Sequence, residues 1–401
     1  MHPSKPIRYA LFALLYFAQG AVLAYFTALN AIYLLSFGLS MGQIGLISGI
    51  SMIPFVLKIF LGMLSDRVNF FGLGFRRPYI LIGLGIQAIC LIIVPFINPA
   101  THFWLYGLVA LILMSGMALY DTCTDGLALD STPKEEEGII QGFMVGGRAM
   151  GVVLISSVIG VLAQNISWSA AFWTLAVLTI VPIPLVLMVK EVPRSADAKF
   201  TWDAFSAFKN KSVISLGLLG ALYSLVINAA NQIVNPYLQD SFGISIVFAG
   251  FFTTVWGIGV VIGSVTGGRL TDKIGHRKAV NGAILVTVVT VIVLGFIYDI
   301  WVAWPLVALF GLAFGYYETV YFALSMEKTD PRIAASMFSI LMAVANIGTG
   351  IGLWLSGTLV DAFGYQLTFV IIGCLNLLAL PLLPAIFGKR EKQVAAATTN
   401  S

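Results

Sequence analysis

Charged residues are scarce in this sequence. Asp, Glu, Lys and Arg make up 10% of its 401 residues, where a soluble domain carries roughly 25%, and mean hydropathy is +0.95. A water-soluble fold is excluded. The net charge of +4 needs no nucleic-acid partner, for a reason that the topology supplies below. Cysteine is nearly absent too: Cys90, Cys123 and Cys374 fall in apolar runs, where they read as small apolar side chains and not as disulfides or metal ligands. The three histidines, His2, His102 and His276, are scattered, so no metal site is expected. There is no G-x-x-x-x-G-K-[ST] loop and no sizeable polar domain, which argues against ATP-driven work by this chain alone. No nucleophile–base pair and no pore-loop signature emerge, so neither an enzyme nor a channel is expected. Nor is a cleavable leader, because the first apolar stretch is too long and lacks a small-residue cleavage site.

Long apolar runs are what the sequence has in abundance. At about 20 residues each they suit membrane-spanning helices and not the alternating strands of a barrel. Twelve spans are expected, at 9–36, 43–64, 79–97, 103–130, 139–163, 169–189, 212–238, 246–268, 279–298, 302–325, 333–360 and 366–387. The widest interruption, KEVPRSADAKFTWDAFSAFKNK, divides them six and six. The domains expected are a six-helix bundle over 1–189, a linker over 190–211, a second bundle over 212–387 and a tail over 388–401. The fold class is an all-α integral membrane protein.

The basic residues set an orientation. Lys5, Arg8, Arg67, Arg76, Arg77, Lys134, the linker's basic residues, Arg269, Lys273, Arg277, Lys278, Lys328, Arg332 and those of the tail all fall on one side of the twelve spans. The opposite loops, FGLSMGQ, NPATHF, NISW, DSFGIS, DIW and DAFGY, contain no Lys or Arg. Basic loops stay cytoplasmic, so both termini are expected there, in a cell membrane. The positive charge reflects this topology, and the bilayer is the expected macroscopic partner of a monomeric chain.

The two halves repeat. LGMLSDRVNFFGLGFRRP follows the second span and GGRLTDKIGHRK the eighth. Each holds glycine, then an acid–base pair (Asp66–Arg67, Asp272–Lys273), then glycine and two basic residues (Arg76–Arg77, Arg277–Lys278). Spans 4 and 10 align at an offset of 195, matching Gly116 with Gly311 and Thr124 with Thr319. Twelve spans, the six-plus-six division and the G-x-x-x-D-[RK] loops resemble the major facilitator superfamily. LYFAQG, IGLISGISMIPFVLKIFLGMLSDR, LGFRRP and DTCTDGLALD resemble its AmpG muropeptide-permease and acetyl-CoA-transporter branch over about 150 residues of the N-terminal half. RRPYILIG resembles, more weakly, photosynthetic-complex assembly proteins of the same superfamily. The resemblance implies a transporter that works by alternating access, with spans 1, 4, 7 and 10 lining its cavity and the loop motifs gating it.

Inside the spans ionisable residues are few: Lys58, Asp121, Asp125, Arg148 and Glu318, with Asp130 near a border. Charges in such positions are functional suspects. Asp121 and Asp125, four apart, share a helix face. Counting rise from the helix ends puts both acids, Lys58 and Arg148 in one layer, roughly 9–15 Å from the basic surface. Either an ion-pair network joins spans 2, 4 and 5, or that network holds a proton or an anionic solute. Glu318 has no basic residue expected at its depth. A buried carboxyl without a base prefers to hold a proton, which makes Glu318 the proton-coupling candidate and protons the expected coupling ion. Asp66, Arg67, Arg76 and Arg77, and Asp272, Lys273, Arg277 and Lys278, read as latches between helix ends or as topology signals.

Polar residues within spans suggest cavity lining: Gln19, Tyr25, Asn228, Asn231, Gln232, Tyr316, Tyr317, Tyr321 and Asn346. Each is equally explained by an interhelical hydrogen bond. Glycines at Gly142/Gly146, Gly147/Gly151, Gly259/Gly263/Gly267 and Gly348/Gly352 suggest close helix packing. The expected function is secondary transport of a small polar organic solute, sugar- or muropeptide-like, coupled to protons. A non-transporting assembly protein of the same fold and a drug-efflux transporter are the alternatives.

Overall fold

The computed structural model describes residues 5–72, 74–133, 136–188, 202–328 and 334–388. Long apolar helices dominate, and there is no strand among the described residues. Ten helices are separate and long enough to cross a bilayer: α1 (Lys5–Thr27), α2 (Met41–Ser65), α3 (Arg77–Phe96), α4 (Phe103–Ala128), α5 (Ile139–Asn165), α6 (Trp168–Met188), α7 (Lys211–Phe242), α8 (Ile246–Ile274), α9 (His276–Leu294) and α10 (Ile300–Lys328). The last apolar stretch, Ser336–Gly388, is two helices in sequence. Gly364 takes φ 75° within it, a left-handed backbone that breaks a helix and favours glycine. α11 (336–363) and α12 (365–388) lie on either side, giving the twelve crossings expected.

Several crossings are less regular than their hydropathy suggests. α2 has turns at Met52 and Leu57, with Pro54 between them, so its last segment begins at Lys58. Proline removes one helical donor and crowds the preceding turn, which accounts for the break. The expected first span also divides, into Lys5–Ala28 and Asn30–Leu35. Most of the expected linker, at 189–201, and the tail from 389 lie outside the described residues.

Glycine sets the helix spacing within each half. A Cβ on Gly147 or Gly151 of α5 would lie 2.3–2.4 Å from a carbonyl oxygen of α1. Gly348 and Gly352 of α11 meet α7 at 2.0–2.5 Å in the same way. The pairs α1–α5 and α7–α11 are equivalent under the six-helix repeat. Gly259 and Gly263 of α8 likewise meet the α10 backbone. Contacts this close let backbones approach where no hydrophobic force separates helix from lipid.

The halves join through a second, symmetric pair of contacts. Gly45 and Gly49 of α2 meet α11 backbone oxygens, and Gly160 of α5 meets α8. Thr254 Oγ1 donates to the carbonyl of Val153 at 2.7 Å and lies 2.6 Å from the Ser157 hydroxyl. Val247 N donates to Gln164 Oε1 at 3.0 Å. These bonds run from mid-membrane to the face away from the basic residues. Asp361 clamps that end, accepting from Met41 N at 3.0 Å and Gly42 N at 2.8 Å, at a helix N-terminus where a carboxylate is stabilised.

Towards the basic face the contact between α5 and α8 ends. Along α5 the line of residues touching α8 runs back from Gly160 through Ser156 and Val153, and continues at helical spacing to Gly146 and Gly142. Both are exposed, and a Cβ on either meets nothing within 4 Å. The close packing expected at Gly142/Gly146 is therefore not present among the described residues.

Candidate functional site

A charged cluster lies inside the N-terminal half. From the segment of α2 that begins after Leu57, Lys58 Nζ donates to Asp121 Oδ2 at 2.5 Å and to Asp125 Oδ2 at 3.2 Å. One cation thus bridges two carboxylates a helical turn apart on α4. α1 completes the cluster. Gln19 Nε2 donates to Asp121 Oδ1 at 2.7 Å, and the Tyr16 hydroxyl donates to Asp125. Asp121 is buried, whereas the Asp125 side chain is 41% exposed. A polar group open in mid-membrane is tolerable only where water reaches it, which marks Asp125 as the accessible side of the cluster.

Arg148 sits elsewhere than its depth suggests. The spacing argument pairs it with Asp121 and Asp125, but among the described residues it makes no hydrogen bond or ion pair with either. Its carbonyl is pressed against α1, where a Cβ on Gly20 would lie 2.1 Å from the oxygen. Its side chain is exposed. Glu318 is half-buried on α10, in the other half.

The other expected lining residues divide. Tyr25, Tyr316, Tyr317 and Tyr321 are buried in the packing of their own halves. Tyr25 donates to Asn30, Tyr316 to the carbonyl of Ala279, and Tyr317 to Asn376. Tyr321 packs on Tyr223 at 4.6 Å. Asn228 and Gln232 tie α7 to α11 through Thr349, Leu353 and Ser356. Asn346 of α11 donates to the Phe55 carbonyl across the interface at 3.2 Å, at the broken part of α2. Asn231 is half-buried and lines a recess between α7, α8 and α10.

At the basic face the latch pattern is rearranged. The Asp66 side chain lies outside the described residues. Arg76, buried, donates to Ser65 Oγ at 2.5 Å and to Asp130 Oδ2 at 3.4 Å. Its guanidinium occupies the space that a side chain on Gly126 would fill, which ties the end of α2 to α4. Arg67, Asp272, Lys273, Arg277 and Lys278 are exposed, and Arg77 is half-buried. In the second loop, His276 Nδ1 lies 2.7 Å from Glu327 Oε2, a tie between α9 and α10 that motif matching did not find.

A third tie was also missed. Glu136, just ahead of α5, meets Lys5 Nζ at 2.7 Å and Tyr9 Oη at 3.1 Å, and accepts from Arg8. The hydrogen bond from Lys5, above all, holds its carboxyl below the usual carboxylate range. A lowered value means stability that is present above the unfolded pKa and lost as pH falls through the folded one. Glu136→Gln is accordingly expected to melt below the wild type at pH 7. The gap between the two should close only below about pH 4; thermal melts of both proteins across pH check this.

Two segments of the chain, residues 11–231 and 216–400, match the sequence profile of the Major Facilitator Superfamily. The chain belongs to the major facilitator superfamily. It is a multi-pass membrane transporter of that fold, and not an enzyme. Putative transporter AmpG 1 of Rickettsia conorii is 23% identical over 391 residues, covering 88% of this chain and 91% of that one. The AmpG likeness therefore extends well beyond the N-terminal half. The Folate-biopterin transporter of Synechocystis is 23% identical over 94% of this chain and 83% of its own. Sialic acid transporter NanX of Escherichia coli K12 is 24% identical over 55% of this chain, an alignment that spans about half of NanX, 53%. Among solved structures, the nucleoside transporter NupG (D323A mutant) superposes with TM-score 0.81 at 16% identity, covering 95% of this chain and all of that one. A bacterial homologue of the lysosomal transporter Spinster, inward-facing and unoccupied, superposes with TM-score 0.77 at 18% identity, covering 95% and 97%. These superfamily structures match in fold.

Proposed function

We propose that this transporter carries a small polar organic solute with protons by alternating access, that the basic face is cytoplasmic, and that the described conformer opens to the cytoplasm. The observation that carries the reading is that two charged side chains stand within the spans of opposite halves, the exposed Arg148 of α5 and the half-buried Glu318 of α10. With Glu318 ionised, the two charges attract across the cavity. With Glu318 protonated, Arg148 is left to hold an anionic or hydrogen-bonding group of the solute. Proton and solute binding then favour each other through one arginine, as coupled ligands must. Lys58 is already shared by two aspartates and serves as the fixed charged floor of the cavity. Five charged side chains around one cavity fit a polar solute better than an apolar drug. No cofactor beyond protons is needed.

Alternating access requires the halves to close at the basic face, and Gly142 and Gly146 are the smooth surface on which α8 would close. Gly146→Trp is therefore expected to fold as well as the wild type, because the space beside it is empty here. Its transport should be lost, because closure is blocked. Detergent stability together with uptake by proteoliposomes reads both properties. Normal uptake in this variant would remove that closure from the transport cycle.

The reading as a whole is tested by screening purified protein for thermal stabilisation by folic acid, N-acetylneuraminic acid, uridine and muropeptides. The stabilising compound is then assayed for uptake into liposomes under an imposed pH gradient. A stabilising solute that accumulates only with the gradient supports proton-coupled transport. Failure of every compound to stabilise or move contradicts it.

A further inference from the structure

At the face away from the basic residues, the halves hold each other by two matching contacts. Met41 and Gly42 open α2, and their N–H groups donate to the Asp361 carboxylate of α11 at 3.0 and 2.8 Å. Val247, in the first turn of α8, donates its N–H to Gln164 Oε1 of α5 at 3.0 Å. Under the six-helix repeat α2 is equivalent to α8, and α5 to α11. The two receiving helices are also capped alike, Ser40 accepting from Gln43 N and Ser245 from Phe248 N. Gly42 and Val247 are thus each the second residue after the cap. Asp361 and Gln164 are counterparts, each near the end of its own helix. One contact carries a charge and the other does not.

The charged contact is the stronger. A hydrogen bond to a carboxylate is roughly twice as strong as one between neutral groups, and the helix N-terminus adds its dipole to the attraction. The loops of this face contain no Lys or Arg, so main-chain donors meet the carboxylate in place of a basic side chain. Glycine makes the approach possible. A Cβ on Gly42 would lie 2.7 Å from Asp361 Oδ2, and one on Gly357, a turn before Asp361, would lie 2.0 Å from the Met41 carbonyl oxygen. Asp361 is exposed, and among the described residues its hydrogen bonds run to the other half and not to its own. Resting on the transport reading above, in which this face opens during the cycle, we propose that Asp361 is the latch that sets how often it does so. Gln164 is its weaker counterpart. Opening breaks all three bonds, and the charge at one contact holds the protein in this conformer until solute and proton binding offset it.

The test uses the full-length protein in vesicles that expose this face, with Cys90, Cys123 and Cys374 replaced by alanine and Thr254→Cys as reporter. Thr254 is eight residues into α8, about 12 Å deep, and its hydroxyl lies 2.6 Å from that of Ser157 in the other half. A thiol there meets a membrane-impermeant maleimide only when the halves separate. Asp361→Asn keeps the shape and one acceptor, and is expected to speed labelling about 3–10-fold, the worth of one hydrogen bond. Gly42→Ala displaces the carboxylate without altering its charge and should act in the same direction. Gln164→Glu adds a charge to the neutral contact and should slow labelling. Asp361→Asn combined with Gln164→Glu moves the charge from one contact to the other and should return the rate to near wild type, a rescue that general loosening of the fold does not produce. Labelling of Asp361→Asn and Gly42→Ala at the wild-type rate overturns the latch and leaves the transport reading standing. No labelling of the reporter in wild type or any variant means that this face does not open, which removes the transport reading and the latch with it.

Discussion

Replacing Glu318 by glutamine is expected to abolish pH-driven accumulation while leaving solute exchange intact. Glutamine keeps the size and hydrogen-bonding capacity of a protonated glutamate but cannot gain or lose a proton. The variant should therefore bind solute through an unopposed Arg148 and move it down its own gradient. With one proton per solute, a gradient of one pH unit sustains about tenfold accumulation, since a factor of ten corresponds to about 1.4 kcal/mol. Wild type should approach that ratio and Glu318→Gln should stay at unity. Counterflow of preloaded solute, which needs no proton, should proceed in both. Accumulation by the variant would show that the proton travels by another group. Arg148→Ala makes the converse case: it should lose binding and counterflow together, because the solute's own anchor is gone.

The second large effect is expected at Lys58. Removing it leaves Asp121 and Asp125 facing each other without the cation they share. Deleting one partner of a fully buried charge pair costs about 3–5 kcal/mol, because uncompensated charge stays behind, and the cost is smaller here because Asp125 is 41% exposed. Lys58→Ala should therefore give a destabilised protein with reduced folded yield. Adding Asp121→Asn removes the more buried of the two acids and should recover most of the lost stability. If the cluster only holds α2 to α4, transport returns with stability in the double variant. If it also forms the floor of the solute site, folding returns and transport does not. The solute-site reading predicts the second result.

How much of this was legible in the sequence follows from what distance along the chain can encode. Hydropathy and basic loops mark spans and their sides because the bilayer acts on each helix separately. The proximity of Lys58 to Asp121 and Asp125 was legible because depth along a helix is a simple count, and all three belong to one half. Arg148 defeated the same arithmetic: at matching depth it bonds to neither acid among the described residues, because rise per residue does not say in which direction a side chain leaves its helix. Asp361 is 320 positions from Met41 and looks like an ordinary loop acid until the halves meet. The tyrosines of α10 misled for the opposite reason, since a hydroxyl inside a span reads alike whether it faces water or a neighbouring carbonyl. Gly142 and Gly146 carry a packing motif that meets nothing within 4 Å, so their spacing was legible and their surroundings were not.

The central claim is that one cavity between the halves couples proton to solute, and a single measurement addresses it most directly. Protein reconstituted into liposomes containing a pH-sensitive dye is given its stabilising solute outside, with no starting pH gradient. The account predicts that solute entry drives the interior acidic, and that Glu318→Gln admits solute with no change in interior pH. Solute entry in wild type without any proton movement would contradict it.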